Sequence, residues 1–281
     1  MWLNLQLVKL LNKYSSWLVS QTELGPKSTK IIKISGLLER RNRRNSNFFL
    51  VEGENAVEAC ANTGNLVEIF CTVDYLSKNV ILDKILKKVN FKINLVSDKA
   101  LKKISDTESP AGIVGVSKSI NKHLDKGDLV DKNFITVLFE ISDPGNVGTI
   151  LRSADAFGSD LVVIIGNSVD VTNGKIVRSS AGSIFNLEIR NTDLAKFMDL
   201  ADFFKGNIYQ TRADAMKSLD KVALQAPVMW IFGNEAHGLK SFPKNLGLNV
   251  CIPMRGKTES LNVATAATLC MYETAKHRSI K

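Results

Sequence analysis

The chain has 281 residues, of which 44% are hydrophobic and 23% charged, and it carries a formal net charge of +9. That length accommodates two domains, each able to bury its own core, and the composition excludes the disordered and fibrous classes. No run approaches the roughly 18 apolar residues of a membrane-spanning helix, so no membrane partner is expected.

In chain order, the opening MWLNLQLVKLLNKYSSWLV is interrupted by Asn4, Gln6, Lys9 and Lys13. It lacks the charged start and clean apolar stretch of a secretory signal, and residues 1–30 read as a short amphipathic helix or flexible extension, with an organellar presequence as the alternative. An amphipathic piece then ends in Arg40, Arg41, Arg43 and Arg44. Strand-like runs follow at 48–51, 67–73, 92–96 and 112–116, with helical patterns at 54–61, 79–88 and 98–104 between them. Such alternation predicts a small α/β domain over residues 31–118.

The polar stretch SINKHLDKGDLVDKN, residues 119–133, shows no sustained periodicity and reads as a linker. A second α/β domain is expected over residues 134–281. Its strands are predicted at 135–141, 161–165, 207–209, 228–232 and 250–252, and its helices at 147–157, 193–204 and 261–276. Continuous apolar strands of this kind belong to a parallel sheet covered on both faces.

Charge divides the two halves. Residues 1–132 hold 21 Lys and Arg against 14 Asp and Glu, whereas residues 133–281 hold 16 against 14. The first half therefore points to a polyanionic partner, with a generally basic surface as the plainer alternative. The four cysteines and three histidines are not clustered, so no metal is expected. Isolated cysteines in apolar segments fit the reducing conditions of a cytoplasmic protein.

Three segments of the second half each follow an apolar strand, where open α/β sheets bind ligands. In SDPGNVGTILRSADAFG, Asn146 is placed to cap the helix that carries Arg152. In IFGNEAHGL, Gly233 permits close backbone approach, and Glu235 is expected at a helix start, where a carboxylate is favoured. His237 reads as a solvated loop residue. In CIPMRGKTESLNVATAATLC, Ser260 and Asn262 bring a hydroxyl and an amide to the start of a helix that is thin because Ala264, Ala266, Ala267 and Thr268 are small.

Taken together and in order, these motifs resemble the SpoU/TrmH family of RNA 2'-O-ribose methyltransferases, within the SPOUT superfamily. The matching residues are Asn146, Gly148, Arg152 and Gly158, then Gly233, Asn234, Glu235, Gly238 and Leu239, then the run from Ile252 to Ala264. Ala236 departs from the Gly that often follows the Glu in relatives. The first half resembles the L30e-like substrate-binding domain of many such enzymes, through RRNRRNSNFFLVEGENAV and SDTESPAGIVGV.

The resemblance implies a C-terminal trefoil knot that cradles S-adenosylmethionine. It assigns Phe232, Gly233, Asn234, Ile252, Met254, Ser260 and Leu261 to the cofactor. Arg152 is implied to activate the ribose 2'-hydroxyl together with an RNA phosphate, electrostatic stabilisation of the alkoxide being equally consistent. Asn146, Glu235, Ser260 and Asn262 are implied to position the reacting groups. Arg40, Arg41, Arg43 and Arg44 are expected to meet RNA phosphates. The expectation is a homodimeric methyltransferase acting on ribosomal RNA in preference to tRNA, the alternatives being a tRNA enzyme or a non-catalytic RNA-binding relative.

Overall fold

A computed structural model describes residues 22–78, 92–166 and 168–278. The opening extension up to residue 21 and the helix expected at 79–88 lie outside the described residues. The chain divides into two compact units. One takes the residues up to Ile120 together with Thr172–Phe185, and the other takes Asn121–Val171 with everything from Asn186 onward.

The first unit is built on a four-stranded sheet in the order β1-β4-β2-β3, from β1 (Phe48–Glu52), β2 (Leu66–Cys71), β3 (Lys92–Leu95) and β4 (Ile113–Lys118). β4 runs antiparallel to both β1 and β2, and β2 is parallel to β3. Helices α1 (Thr29–Ser35), α2 (Arg40–Arg44), α3 (Glu54–Asn62), α4 (Val73–Lys78) and α5 (Asp98–Lys103) accompany it. Ile31, Leu50, Phe70, Leu101 and Val116 form one side of its core.

Sequence order did not disclose that Thr172–Phe185 completes this unit. Within that segment lies α6 (Gly174–Ser179) when the helices of this unit are counted. Ile176, Val177, Ile184 and Phe185 are buried, and the Phe185 ring stacks on Phe49 at 6.1 Å. Arg178 donates to Glu52 at 3.1 Å and to Asp106 at 3.2 Å. Gly182 has φ of +98°, and a Cβ there would lie 3.0 Å from the Asn55 carbonyl oxygen, so close backbone approach demands glycine. By contacts, Thr172–Phe185 thus groups with the first unit although it lies within the sequence of the second.

The second unit carries an all-parallel seven-stranded sheet in the order β7-β6-β5-β10-β8-β11-β9. Its strands are β5 (Phe134–Phe139), β6 (Leu161–Ile165), β7 (Ile189–Thr192), β8 (Asn207–Thr211), β9 (Lys217–Ser218), β10 (Val228–Phe232) and β11 (Leu248–Cys251). The central strands β5, β6 and β10 are buried along their whole length, as two-faced coverage requires. Helices α7 (Pro144–Ala156), α8 (Leu194–Ala201) and α9 (Val263–Lys276) belong to this unit. The stretch read as a linker is anchored here: Leu124 and Leu129 enter the core, and the Leu124 N–H donates to the Asn191 carbonyl. No helix among the described residues is long and apolar enough to cross a membrane.

Candidate active site

β5 leads into α7 through a tight turn. Glu140 takes a φ of +51°, outside the usual range for a side-chain-bearing residue. Asp143 then caps α7, its carboxylate accepting from the backbone N–H groups of Gly145 and Asn146, with Pro144 in the first turn. The expectation that Asn146 caps this helix is thus corrected. With Asp143 doing so, the Asn146 side chain is released for a different set of partners.

Those partners come from distant loops. Glu235, after β10, accepts at Oε2 from the Ser142 N–H at 3.1 Å and the Ser142 hydroxyl at 2.9 Å. Its Oε1 accepts from the Asp143 N–H at 3.0 Å and from Asn146 Nδ2 at 2.9 Å. Glu235 begins no helix, contrary to the expectation, because residues 234–238 close into a turn with a bridge between Asn234 and Gly238. Partial burial works against ionisation of Glu235, but the Asn146 amide and the Ser142 and Asp143 N–H groups outweigh it. They hold its pKa down to about 2. A carboxylate with both oxygens engaged and so low a pKa is an anchor for loops, and a poor acceptor of a substrate proton near neutrality.

The third motif joins at Asn262. Its Oδ1 accepts from the Ala264 and Thr265 N–H groups and caps α9, while its Nδ2 donates to Asn146 Oδ1 at 3.0 Å. Asn262, Asn146 and Glu235 thereby form one directed chain of hydrogen bonds across three loops. Behind it α9 buries Ala264, Ala267, Cys270, Met271 and Thr274. Ser153 and Thr268 hydrogen-bond between α7 and α9 at 2.7 Å, and the Trp230 indole donates to Thr274 at 2.9 Å. Small residues at 264 and 267 let the helix lie close to its neighbours, which larger side chains would hold away.

Asn234 braces the turn from within. Its Nδ2 donates to the Glu140 carbonyl at 2.8 Å, and its Oδ1 accepts from the Ala236 and His237 N–H groups. Gly233 has a reason to be glycine that its sequence context does not disclose. A Cβ there would fall 2.4 Å from the carbonyl carbon and oxygen of Gly238, so the turn itself requires the hydrogen. The Phe232 side chain is buried against Trp230, leaving its backbone at the strand end. Ile252 is half-buried, whereas Met254 and Leu261 are 39% and 37% exposed, a solvent-facing apolar surface beside the polar chain.

Two expected members stand apart from this chain. Ser260 is exposed and its hydroxyl makes no hydrogen bond among the described residues. Arg152 is exposed on α7 with its guanidinium unpaired among the described residues. It lies six residues from Asn146, which at 100° per residue places the two on different sides of the helix.

In the first unit, Arg40, Arg41 and Arg44 are exposed, but Arg43 is 8% exposed and donates to the carbonyls of Leu37 and Leu38. Arg43 therefore leaves the expected phosphate-binding set, because its guanidinium is occupied by backbone. Conversely, Ser142 and Asp143 belong to the site and were missed; the Asp-Pro-Gly run that signals a helix start was the available clue.

The SpoU rRNA Methylase family matches residues 133–272, and the MRM3-like substrate binding domain matches residues 28–115. The chain is 28% identical to the 23S rRNA (guanosine(2553)-2'-O)-methyltransferase RlmP of Bacillus subtilis, over 88% of this chain and 96% of that protein. It is 31% identical to the 23S rRNA (uridine(2479)-2'-O)-methyltransferase of Streptomyces viridochromogenes, over 86% and 88%. Among solved structures, the SpoU methyltransferase AviRb from S. viridochromogenes in complex with the cofactor AdoMet superposes with a TM-score of 0.78. Identity there is 27%, with 89% of this chain and 98% of that chain covered.

Proposed function

Since the chain belongs to the SpoU rRNA methylase family, we infer that it transfers a methyl group from S-adenosylmethionine to a ribose 2'-hydroxyl of ribosomal RNA. The observation that carries this reading is the convergence of Asn146, Glu235 and Asn262 from three strand-end loops on one hydrogen-bonded chain.

The residues present fit the cofactor. Exposed Met254 and Leu261 offer apolar surface to an adenosyl group, while the backbone at Phe232–Gly233 and Ile252 offers polar contacts. Bound there, S-adenosylmethionine supplies an electrophilic methyl group on a sulfonium. Glu235 fixes the loops at residues 142–146 and 234–238 in one arrangement, and Asn146 transmits that order to the loop before α9. Gly233 and Asn234 keep the turn closed. Arg152 acts at the ribose. A guanidinium keeps its proton in water, so its contribution, with a neighbouring RNA phosphate, is to stabilise negative charge on the 2'-oxygen as that oxygen takes the methyl group and its proton passes to solvent water. Ser260, whose hydroxyl makes no hydrogen bond among the described residues, is available to the ribose or the cofactor.

The working unit in this reading is a cytoplasmic homodimer whose active site is shared. Arg152 makes no hydrogen bond or ion pair among the described residues, and Leu269 and Tyr272 on α9 are 39% and 49% exposed. An isologous contact through this apolar stripe brings the Arg152 of each chain toward the cofactor site of its partner. The C-terminal trefoil knot belongs to the same proposal. In the first unit, Arg40, Arg41 and Arg44 meet RNA phosphates.

The test is to map ribose 2'-O-methyl groups in ribosomal RNA and tRNA from cells with and without this chain. One ribosomal position should lose its methyl group when the chain is absent and regain it with the purified protein and S-adenosylmethionine. A change confined to tRNA, or no change at all, overturns the reading.

A further inference from the structure

We propose that Phe48, with Lys118 opposite it and Arg44 four residues before it, is a stacking platform for an unpaired RNA base. This rests on the ribosomal RNA reading above and adds a site within the first unit.

β1 opens with two phenylalanines that meet different fates. Phe49 is wholly buried and stacks on Phe185, whereas Phe48 is 40% exposed at the head of a strand whose other four residues are buried. Among the described residues of the first unit Phe48 is the one exposed aromatic ring, the other exposed large apolar side chain there being Ile32. Alternation along the strand puts Phe48 on the same face as Leu50. The antiparallel register sets Leu50 opposite Val116 and Phe48 opposite Lys118. Leu50 and Val116 both belong to the core of the unit, so the same sheet face emerges into solvent one step further on, at Phe48 and Lys118. Opposed side chains in such a ladder are immediate neighbours.

The surroundings select the ligand. Lys118, Arg41 and Arg44 are exposed, and their side chains make no hydrogen bond or ion pair among the described residues. Asn45 and Asn47 are exposed between the ring and the arginines. β1 is an edge strand of its sheet, and Phe48 opens it. A protein-binding patch has an apolar centre from which charge is depleted. Here a single ring lies among unpaired cations and amides, the combination by which single-stranded RNA is held through base stacking and phosphate neutralisation.

The experiment uses the full-length chain and a fluorescein-labelled, mixed-sequence RNA of about 12 nucleotides, within the span of one single-strand site. The RNA is offered single-stranded and as a blunt duplex, and anisotropy reads the affinity. Phe48→Ala should weaken single-strand binding about tenfold, the scale of one lost stacking contact, and leave duplex binding within about twofold. Phe48→Trp should bind like wild type, whereas Phe48→Leu, apolar but unable to stack, should behave like the alanine variant. Lys118→Gln should lower the salt slope for the single strand by about 0.7, one phosphate contact. Thermal melting and S-adenosylmethionine binding report that each variant is folded. Unchanged single-strand affinity in folded Phe48→Ala overturns the proposal and leaves the ring to a protein partner. Full rescue by Phe48→Leu overturns stacking. A wild-type chain that binds neither RNA overturns the substrate reading along with this one, whereas wild-type binding that Phe48→Ala does not alter overturns this one alone.

Discussion

Asn262 Nδ2 donates to Asn146 Oδ1 at 3.0 Å, between residues 116 positions apart. Asn146 passes the interaction on to Glu235, so the start of α9 and the start of α7 are held by a single amide. Coupling of this kind is measurable, because two residues in one hydrogen-bonded chain do not contribute independently.

Asn146→Ala and Asn262→Ala should each lower methyl transfer by at least about tenfold, and the double variant should lose less than the product of the two. An interaction energy of about 0.5–3 kcal/mol is expected from the cycle. Asn262→Ala should also cost about 1 kcal/mol of stability, since it removes the α9 cap. Strictly additive losses would mean that the two amides act separately.

Acid stability reports on Glu235. Its pKa is about 2 in the folded chain against an ordinary 4.5, so it stabilises the fold fully above about pH 5. That contribution is lost as pH falls from 4.5 toward 2. Thermal melts across this window should show a steeper loss for wild type than for Glu235→Gln. The pH–rate profile of methyl transfer near neutrality should carry no inflection from Glu235.

The glycines of the turn should differ sharply. Gly233→Ala forces a Cβ to within 2.4 Å of the Gly238 backbone and should cost about 1–3 kcal/mol, with loss of cofactor binding. Gly238 has φ of +57° and open space around its Cβ position, so Gly238→Ala should cost only about 1 kcal/mol. Calorimetric melts and titration with S-adenosylmethionine distinguish the two.

Arg43 and Arg44 separate structure from binding. Arg43→Ala should destabilise the first unit by about 2 kcal/mol, because two backbone carbonyls lose a charged donor. Arg44→Gln should leave the melting temperature unchanged and flatten the salt dependence of RNA binding by about one phosphate contact. The reverse pattern would exchange their roles.

Complementation tests the shared site. Arg152→Ala and Gly233→Val chains, each inactive alone, should regain about a quarter of wild-type activity after subunit exchange. Random pairing makes about half of the dimers mixed, and each mixed dimer has one intact site. Arg152→Ala alone should keep its affinity for S-adenosylmethionine. Exchange without recovery would place a complete site in every chain.

Much of this protein is written in local pattern. The buried strands at 161–165 and 228–232 are legible as continuous apolar runs because a parallel sheet covered on both faces admits nothing else. The three motifs are legible because the turn after each strand needs particular small or polar residues. Periodicity and turn chemistry act over a few residues, and they state which element forms and where it ends.

Tertiary structure decided the rest. That Glu235 anchors a loop it does not adjoin, and that Asn146 receives Asn262, depend on groups brought together from up to 116 positions away. Arg43 and its neighbour Arg44 are the same residue type in the same short helix, yet one is enclosed by the Leu37 and Leu38 carbonyls and the other faces water. Thr172–Phe185 joined the first unit because Arg178 found Glu52 and Asp106, and Phe185 found Phe49. Long-range contacts such as Asn262–Asn146 and Phe185–Phe49 are settled by strand order and register across the whole chain, and no window of neighbouring residues contains that information.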